Sequence, residues 1–359
     1  MRVSWVLFFA LTAILWSLCP RLPLLPGIAE CTGTLLMVAC ASYFLAKLIW
    51  GLAFVRLVSS EGKAVLITGC DTGFGHLLAK FLARDGFVVF AGCLDAKSEG
   101  AMSLKKQANI KVLQMDVTKE VDIDDAYRTI NAELGTRSKE ATSLELWAVV
   151  CNAAMMNSGL IEWMTMDSIT RIFDVNVFGV VRVVKKFLPM LRKSRGRAVI
   201  VASNLSYFTL PFTTPYAMTK YAVRSLVDGL RRECHGKGVD VVAVEPLTYR
   251  SKVTEAVGCI SAVEKEFKSQ PAEVTADYSE QEIHDWTRSM KALYDWRIKE
   301  DIEDLVDQMI LAVRETDPKT RYTTMALFDY AWVCCLRTLP TEAVDIILFW
   351  SRKIALWKK

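Results

Sequence analysis

Histidine is scarce in this 359-residue chain, which has only His76, His235 and His284. Three imidazoles leave little for a His-rich zinc site or for Ser-His-Asp hydrolase chemistry. Dense basic runs are lacking too, and a formal net charge of +4 is small for this length. Nucleic acid is therefore not an expected partner, and acidic substrates are not implied. There is no internal repeat or low-complexity tract, and 52% hydrophobic against 23% charged content excludes a disordered chain. The ten cysteines, ending in the adjacent Cys334 and Cys335, form no CxxC pair and no short regular spacing. They read as mostly buried free thiols rather than a disulfide or metal framework.

Long apolar runs, by contrast, crowd the N-terminus. Val3 to Leu18 is broken only by Ser and Thr, and Gly33 to Val55 carries the single charge Lys47. Between them Pro20, Pro23, Pro26 and Gly27 make a helix-breaking connector. A bilayer core takes roughly 20 apolar residues as a helix, so the second run is long enough and the first is marginal. A cleaved signal peptide would explain the first run alone but not the second. The alternative for the second is a buried core helix; its position ahead of any domain and its lack of a polar face favour a membrane anchor. The organisation expected is an anchoring segment over residues 1–60 and one domain over residues 61–359.

From Lys63 onward, short β-branched runs alternate with helical patterns. Strands are expected at Ala64–Thr68, Val88–Cys93, Lys111–Met115, Leu146–Val150, Ala198–Ala202, Val239–Val244 and Arg321–Thr324, with helices such as Phe74–Asp85, Ile169–Arg192 and Pro215–Cys234 between them. The fold class expected is α/β, a doubly wound parallel sheet of about seven strands. Directly after the first strand comes Thr68-Gly69-Cys70-Asp71-Thr72-Gly73-Phe74-Gly75, opening a helix. Glycines at this spacing let the backbone turn tightly beside a pyrophosphate, and the helix N-terminus offers free N–H groups. Alone, such a turn is also an ordinary strand-to-helix connection. Asp95, 20 positions beyond Gly75 at the end of the second strand, is placed to accept a ribose 2′-hydroxyl, although a solvated turn residue is the plain alternative. NAD is then expected, with NADP left open by nearby Lys97.

A second constellation lies further on. Thr214-Pro215-Tyr216 reads as a helix start, with Thr214 as N-cap, and Tyr216 and Lys220 stand one turn apart on one face. An ammonium there is expected to pull the tyrosine pKa down from about 10 and make it a general acid/base. Ser203, thirteen residues before Tyr216 at a strand end, lies where such sheets hold ligands. Singly, these residues are common on solvated helices and in turns; together behind a glycine loop they are not.

In that order and spacing the chain resembles the short-chain dehydrogenase/reductase family from about Lys63 to Lys359. Within it, Cys70–Gly75, Phe90–Leu94, Pro318–Tyr322 and Leu339-Pro340-Thr341 are similar to one branch. That branch holds retinol dehydrogenases, the type 2 17β- and 11β-hydroxysteroid dehydrogenases and 3-hydroxybutyrate dehydrogenase. The resemblance implies a nicotinamide-dependent oxidoreductase. Thr68, Gly69, Thr72, Gly73, Phe74, Gly75, Asp95, Asp116 and Asn152 would bind cofactor, together with Tyr216 and Lys220. Asp116 would meet the adenine, Asn152 would support the adenosine side, and Lys220 would also hold the nicotinamide ribose. Asn176 would hold the water of a proton relay, and Ser203 would polarise the substrate. No metal is implied.

Two departures stand out: Ala154 and Leu247 occupy positions where the family has glycine, and a side chain there would crowd the cofactor. Binding is expected to survive them because the glycine loop and the Ser-Tyr-Lys set are intact. Ser251–Tyr278 is expected to form a substrate lid. Ser279-Glu280-Gln281-Glu282 is a capping box ahead of an amphipathic helix, and the aromatic C-terminal part, from Phe328 to Trp357, reads either as a membrane-contacting element or as packing. The substrate expected is a lipophilic alcohol or ketone, a steroid first and a retinoid next, handled at the endoplasmic reticulum membrane. A small hydroxy acid substrate and a non-catalytic membrane protein keeping the fold are the alternatives, and a homodimer is left open.

Overall fold

The computed structural model describes residues 9–14, 28–53, 56–137, 143–251 and 260–357. The chain divides into two compact units, Met1–Val58 with Arg314–Lys319, and Ser59–Val313 with Thr320–Lys359. In the first, helix α1 (Ile28–Ala53) exposes Leu35, Leu36, Met37 and Phe44. Among the described residues no helix is long and apolar enough to cross a membrane, so the fold does not establish the anchor expected over Gly33 to Val55. Of the earlier run, Val3 to Leu18, only residues 9–14 are described, and they are helical; the proline connector lies outside the described residues.

The second unit alternates strands and helices. They run in the order β1 (Lys63–Thr68), α2 (Gly73–Arg84), β2 (Val88–Cys93), α3 (Glu99–Lys105), β3 (Ile110–Gln114), α4 (Glu120–Arg137) and β4 (Glu145–Cys151). The second half is α5 (Met166–Phe173), α6 (Val180–Ser194), β5 (Arg197–Val201), α7 (Thr214–Glu233), β6 (Asp240–Glu245), α8 (Ile260–Lys268), α9 (Ala272–Thr275), α10 (Glu280–Arg297), α11 (Glu303–Arg314), β7 (Arg321–Thr323), α12 (Leu327–Thr338) and α13 (Thr341–Trp357). The sheet order is β3-β2-β1-β4-β5-β6-β7, and every neighbouring pair is parallel.

Helices cover both faces, so the strands are apolar throughout instead of alternating. Ala64 and Leu66 of β1 face the side packed by Ile123 and Ile130 of α4, Phe187 of α6 and Val227 of α7. Val65 and Ile67 face the other side, against Leu78 and Leu82 of α2, Leu104 of α3 and Met309 of α11. A third, separate cluster joins Trp163, Phe212, Val263, Phe267, Ile283 and Met290. It seats α8 and α10, and Ser279 and Glu282 form the expected capping box at the start of α10. Short β7 is tied in by charge: Arg321 pairs with Glu245 of β6 and with Asp228 of α7 at 2.7 Å.

Where one helix was expected over Ile169–Arg192, the chain makes α5, a π-helical turn (Asp174–Gly179) and α6. The extra residue in that turn leaves the apolar periodicity readable while displacing the side chains around it. Cys70, Cys93, Cys151 and Cys234 are buried free thiols, Cys334 is half-buried and Cys335 exposed.

Candidate active site

Strand order reverses between β1 and β4, and a cavity of about 540 Å³ opens beyond the strand ends there. Gly69, Thr72, Gly73, Phe74, Asp95, Asp116, Asn152, Ser203, Tyr216 and Lys220 all line it. The fold thus gathers into one crevice residues spread over more than 150 positions of sequence.

The glycine loop is built as close approach requires. Gly69 and Gly73 sit at φ +71° and +66°, a region that favours glycine, and a Cβ on Gly69 would lie 2.8 Å from the Ala153 Cα. A Cβ on Gly75 would strike the Gly69 carbonyl and the Asn152 amide. Asn152 holds this loop: its Nδ2 donates to the Thr68 carbonyl at 2.9 Å and the Gly69 carbonyl at 3.0 Å. Thr68 answers, its Oγ1 accepting from the N–H groups of Asn152 and Ala153, both at 3.0 Å. Thr68 and Gly75 therefore shape the loop from behind and do not line the cavity. Thr72 is the N-cap of α2 but makes no side-chain cap bond, and the first turn has no acidic residue. Those backbone donors fit an anionic pyrophosphate.

Asp71 went unrecognised in the sequence. Its carboxylate accepts the N–H groups of Leu94 at 2.9 Å and Asp95 at 3.0 Å, clasping the end of β2 to the glycine loop. Gln114 completes the clasp, accepting from Ala96 N–H and donating to the Leu94 carbonyl. Asp95, exposed at the rim, accepts the Lys97 N–H at 2.8 Å. An acidic residue inside a glycine loop was the available signal for Asp71. Asp116 accepts from the Thr118 N–H and hydroxyl; burial pushes its carboxyl up, but these bonds and Lys119 outweigh it and hold it below the usual range.

At the other end, Ser203 closes β5 and its Oγ accepts the Leu205 N–H at 3.1 Å. Lys220 is buried and its Nζ donates to the Val201 carbonyl at 3.0 Å, 5.5 Å from the Tyr216 ring centre. The expected fall in the tyrosine pKa is not found. Burial pushes Tyr216 up to about 12, offset in part by a hydrogen bond with Ser203, and burial lowers Lys220 to about 8. Desolvation disfavours both charged forms. The N-cap of α7 is Thr213, not Thr214; its hydroxyl donates to the Leu210 carbonyl instead of capping.

Asn176 stands in the π-helical turn, outside the cavity lining. Its Oδ1 accepts from Met155 N–H at 2.9 Å, and its Nδ2 donates to the Met155 carbonyl at 2.9 Å and to Thr219 Oγ1 at 3.2 Å. It fixes the strand-end loop against the helix of Tyr216. Ala154 and Leu247 meet no conformational penalty, because Arg195 and Phe212 are the only non-glycine described residues at positive φ. Leu247 packs against the α2 and α11 side of the core.

A glycine loop at one end of the crevice and a Ser-Tyr-Lys set at the other are the parts an oxidoreductase with a nicotinamide cofactor requires. The short chain dehydrogenase family model matches residues 63–258, more than half of the chain. The chain is 34% identical to mouse estradiol 17-beta-dehydrogenase 2, over 89% of its own length and 81% of the relative's. It is 35% identical to bovine mitochondrial D-beta-hydroxybutyrate dehydrogenase (75% and 78%) and 34% identical to mouse retinol dehydrogenase 16 (83% and 92%). The structure of the Brucella melitensis 3-ketoacyl-(acyl-carrier-protein) reductase complexed with NADH superposes with a TM-score of 0.56 at 21% identity, over 74% of this chain and 98% of that one; this likeness concerns the fold. The chain belongs to the short-chain dehydrogenase family and is an enzyme of it.

Proposed function

We propose that the chain interconverts a hydroxyl and a carbonyl on a lipophilic substrate, a steroid first, with NAD as cofactor, at the endoplasmic reticulum membrane. The observation that carries this is the shared cavity: the glycine loop, Asp95, Ser203, Tyr216 and Lys220 line one crevice. Bound there, the nicotinamide supplies or accepts hydride. Gly69, Gly73 and the α2 N-terminus would cradle its pyrophosphate, Asp95 would accept the ribose hydroxyls, and Asp116 and Asn152 would border the adenosine. Lys220 has donors to spare for the second ribose.

Ser203 and Tyr216 would grip the reacting oxygen. With its pKa near 12, Tyr216 is a neutral phenol at physiological pH, ready to give a proton to a developing alkoxide during reduction. In the oxidative direction Tyr216 would first lose its own proton, and the phenolate would then take the proton of the substrate hydroxyl as hydride leaves the carbon; Asn176 would hold the Met155 loop against the helix that carries Tyr216. Met155, Met156, Leu205 and Leu247 supply apolar lining suited to a hydrocarbon skeleton. Steroid and retinoid names among the relatives support the lipophilic reading, and exposed Ile346, Phe349 and Trp350 on α13 support membrane contact.

The test is a cofactor-consumption screen of detergent-solubilised protein against steroids, retinoids and short hydroxy acids. Steroid alcohols are expected to reduce NAD, and Tyr216→Phe should cut kcat at least about 100-fold while NADH still binds. Equal turnover by that variant, or turnover of hydroxybutyrate alone, would overturn the reading.

A further inference from the structure

One polar group in this crevice has no hydrogen-bond partner among the described residues. Tyr294, on α10, is only 8% exposed, and its hydroxyl meets no hydrogen-bond partner among the described residues. It lines the same cavity as Ser203 and Tyr216. Its ring is clamped in the third apolar cluster with Ile283, Met290 and Phe267, while Tyr216 packs at that cluster's edge. The hydroxyl is thus held in place by packing. Burial, and then neighbouring Tyr216, raise its pKa above the ordinary phenol range, so it is a neutral donor and acceptor at working pH.

A buried hydroxyl without a partner weakens a fold, and phenylalanine would fill the same space without that penalty. Its presence is explained if a ligand completes it. The reacting oxygen does not need it: a carbonyl oxygen has two lone pairs, and the Tyr216 phenol would serve one and the Ser203 hydroxyl, turned away from the Asn204 Oδ1 to which it donates at 3.1 Å, the other. Building on the reaction proposed above, we infer that Tyr294 determines specificity, its hydroxyl hydrogen-bonding a second oxygen of the substrate. The cavity would then select a lipophilic alcohol or ketone that carries a further hydroxyl or oxo group. An analogue lacking that oxygen leaves the phenol unpaired again, which is how hydrogen-bonding sites reject deoxy compounds.

The experiment compares the full chain with Tyr294→Phe on three saturated steroids. One has a single hydroxyl on the five-membered ring; the other two add a second hydroxyl on the first or on the third ring. The expected result is that the unaltered protein prefers at least one diol by about 10-fold or more in kcat/KM, mainly through KM, and that Tyr294→Phe brings this ratio close to one without lowering the melting temperature. A ratio near one in the unaltered protein, or one retained by the variant, overturns the assignment. Calorimetric titration of the same steroids reads the ratio without turnover. If no steroid is oxidised, the reaction proposed above fails, yet binding selectivity erased by Tyr294→Phe still supports the role of Tyr294. Absence of binding by all three overturns both.

Discussion

Lys220 and Tyr216 are desolvated together, and burial moves their pKa values in opposite directions, to about 8 and about 12. For the lysine the consequence for stability has a definite sign. Between its folded pKa of about 8 and its ordinary 10.5, the unfolded chain holds more protons, so its contribution to stability rises with pH. Below 8 both states are protonated and the full penalty of burying the ammonium applies. Above 10 the raised tyrosine opposes the trend, because the folded state then keeps the phenolic proton. Stability of the unaltered protein relative to Lys220→Met should therefore improve by about 2 kcal/mol between pH 8 and 10, read by denaturant titration. A flat difference would mean that the ammonium is not penalised. Asp71 gives a second expectation at this scale: Asp71→Ala frees the end of β2 and should weaken NADH binding about tenfold in calorimetry, since a charge-assisted bond contributes about 1.5 to 3 kcal/mol.

Among the elements, the glycine loop has little freedom to change at Gly69 and Gly75. Gly69→Ala combines a positive φ with a backbone clash, and should cost about 1 to 3 kcal/mol in thermal unfolding and at least about tenfold in NADH affinity. The seven strands were legible within one or two residues because parallel strands covered on both faces write themselves as short β-branched runs. That the glycine loop, Ser203, Tyr216 and Lys220 meet in one crevice was legible because each stands at a fixed offset from such a strand or helix start. The π-helical turn was not, since one extra residue between α5 and α6 alters hydrogen bonding and not composition. The tyrosine pKa was misjudged for a related reason: spacing reveals that an ammonium is near, but burial is a property of the packed protein. Tyr294 was passed over because a tyrosine in an apolar stripe looks like core; only the packed crevice shows its hydroxyl unmatched.

For the molecule as a whole, the apolar exterior calls for a covering surface. Ile346, Phe349 and Trp350 of α13 are each more than half exposed, with Trp350 at 56%, which is unusual for residues this large unless a lipid or protein covers them. Replacing Phe349 and Trp350 together with serine should lower co-flotation with phosphatidylcholine vesicles by about tenfold or more, as expected for removing two large apolar groups from an interface. Unchanged flotation would assign the face to protein packing instead.

The three apolar clusters divide the labour of the chain. Two of them build the sheet, while α8 and α10 rest on the third, which reaches the crevice through Met156, Tyr216 and Tyr294. On the reaction proposed above, replacing side chains in those two helices would redirect what is oxidised or reduced and leave the glycine loop, Ser203 and Lys220 in place.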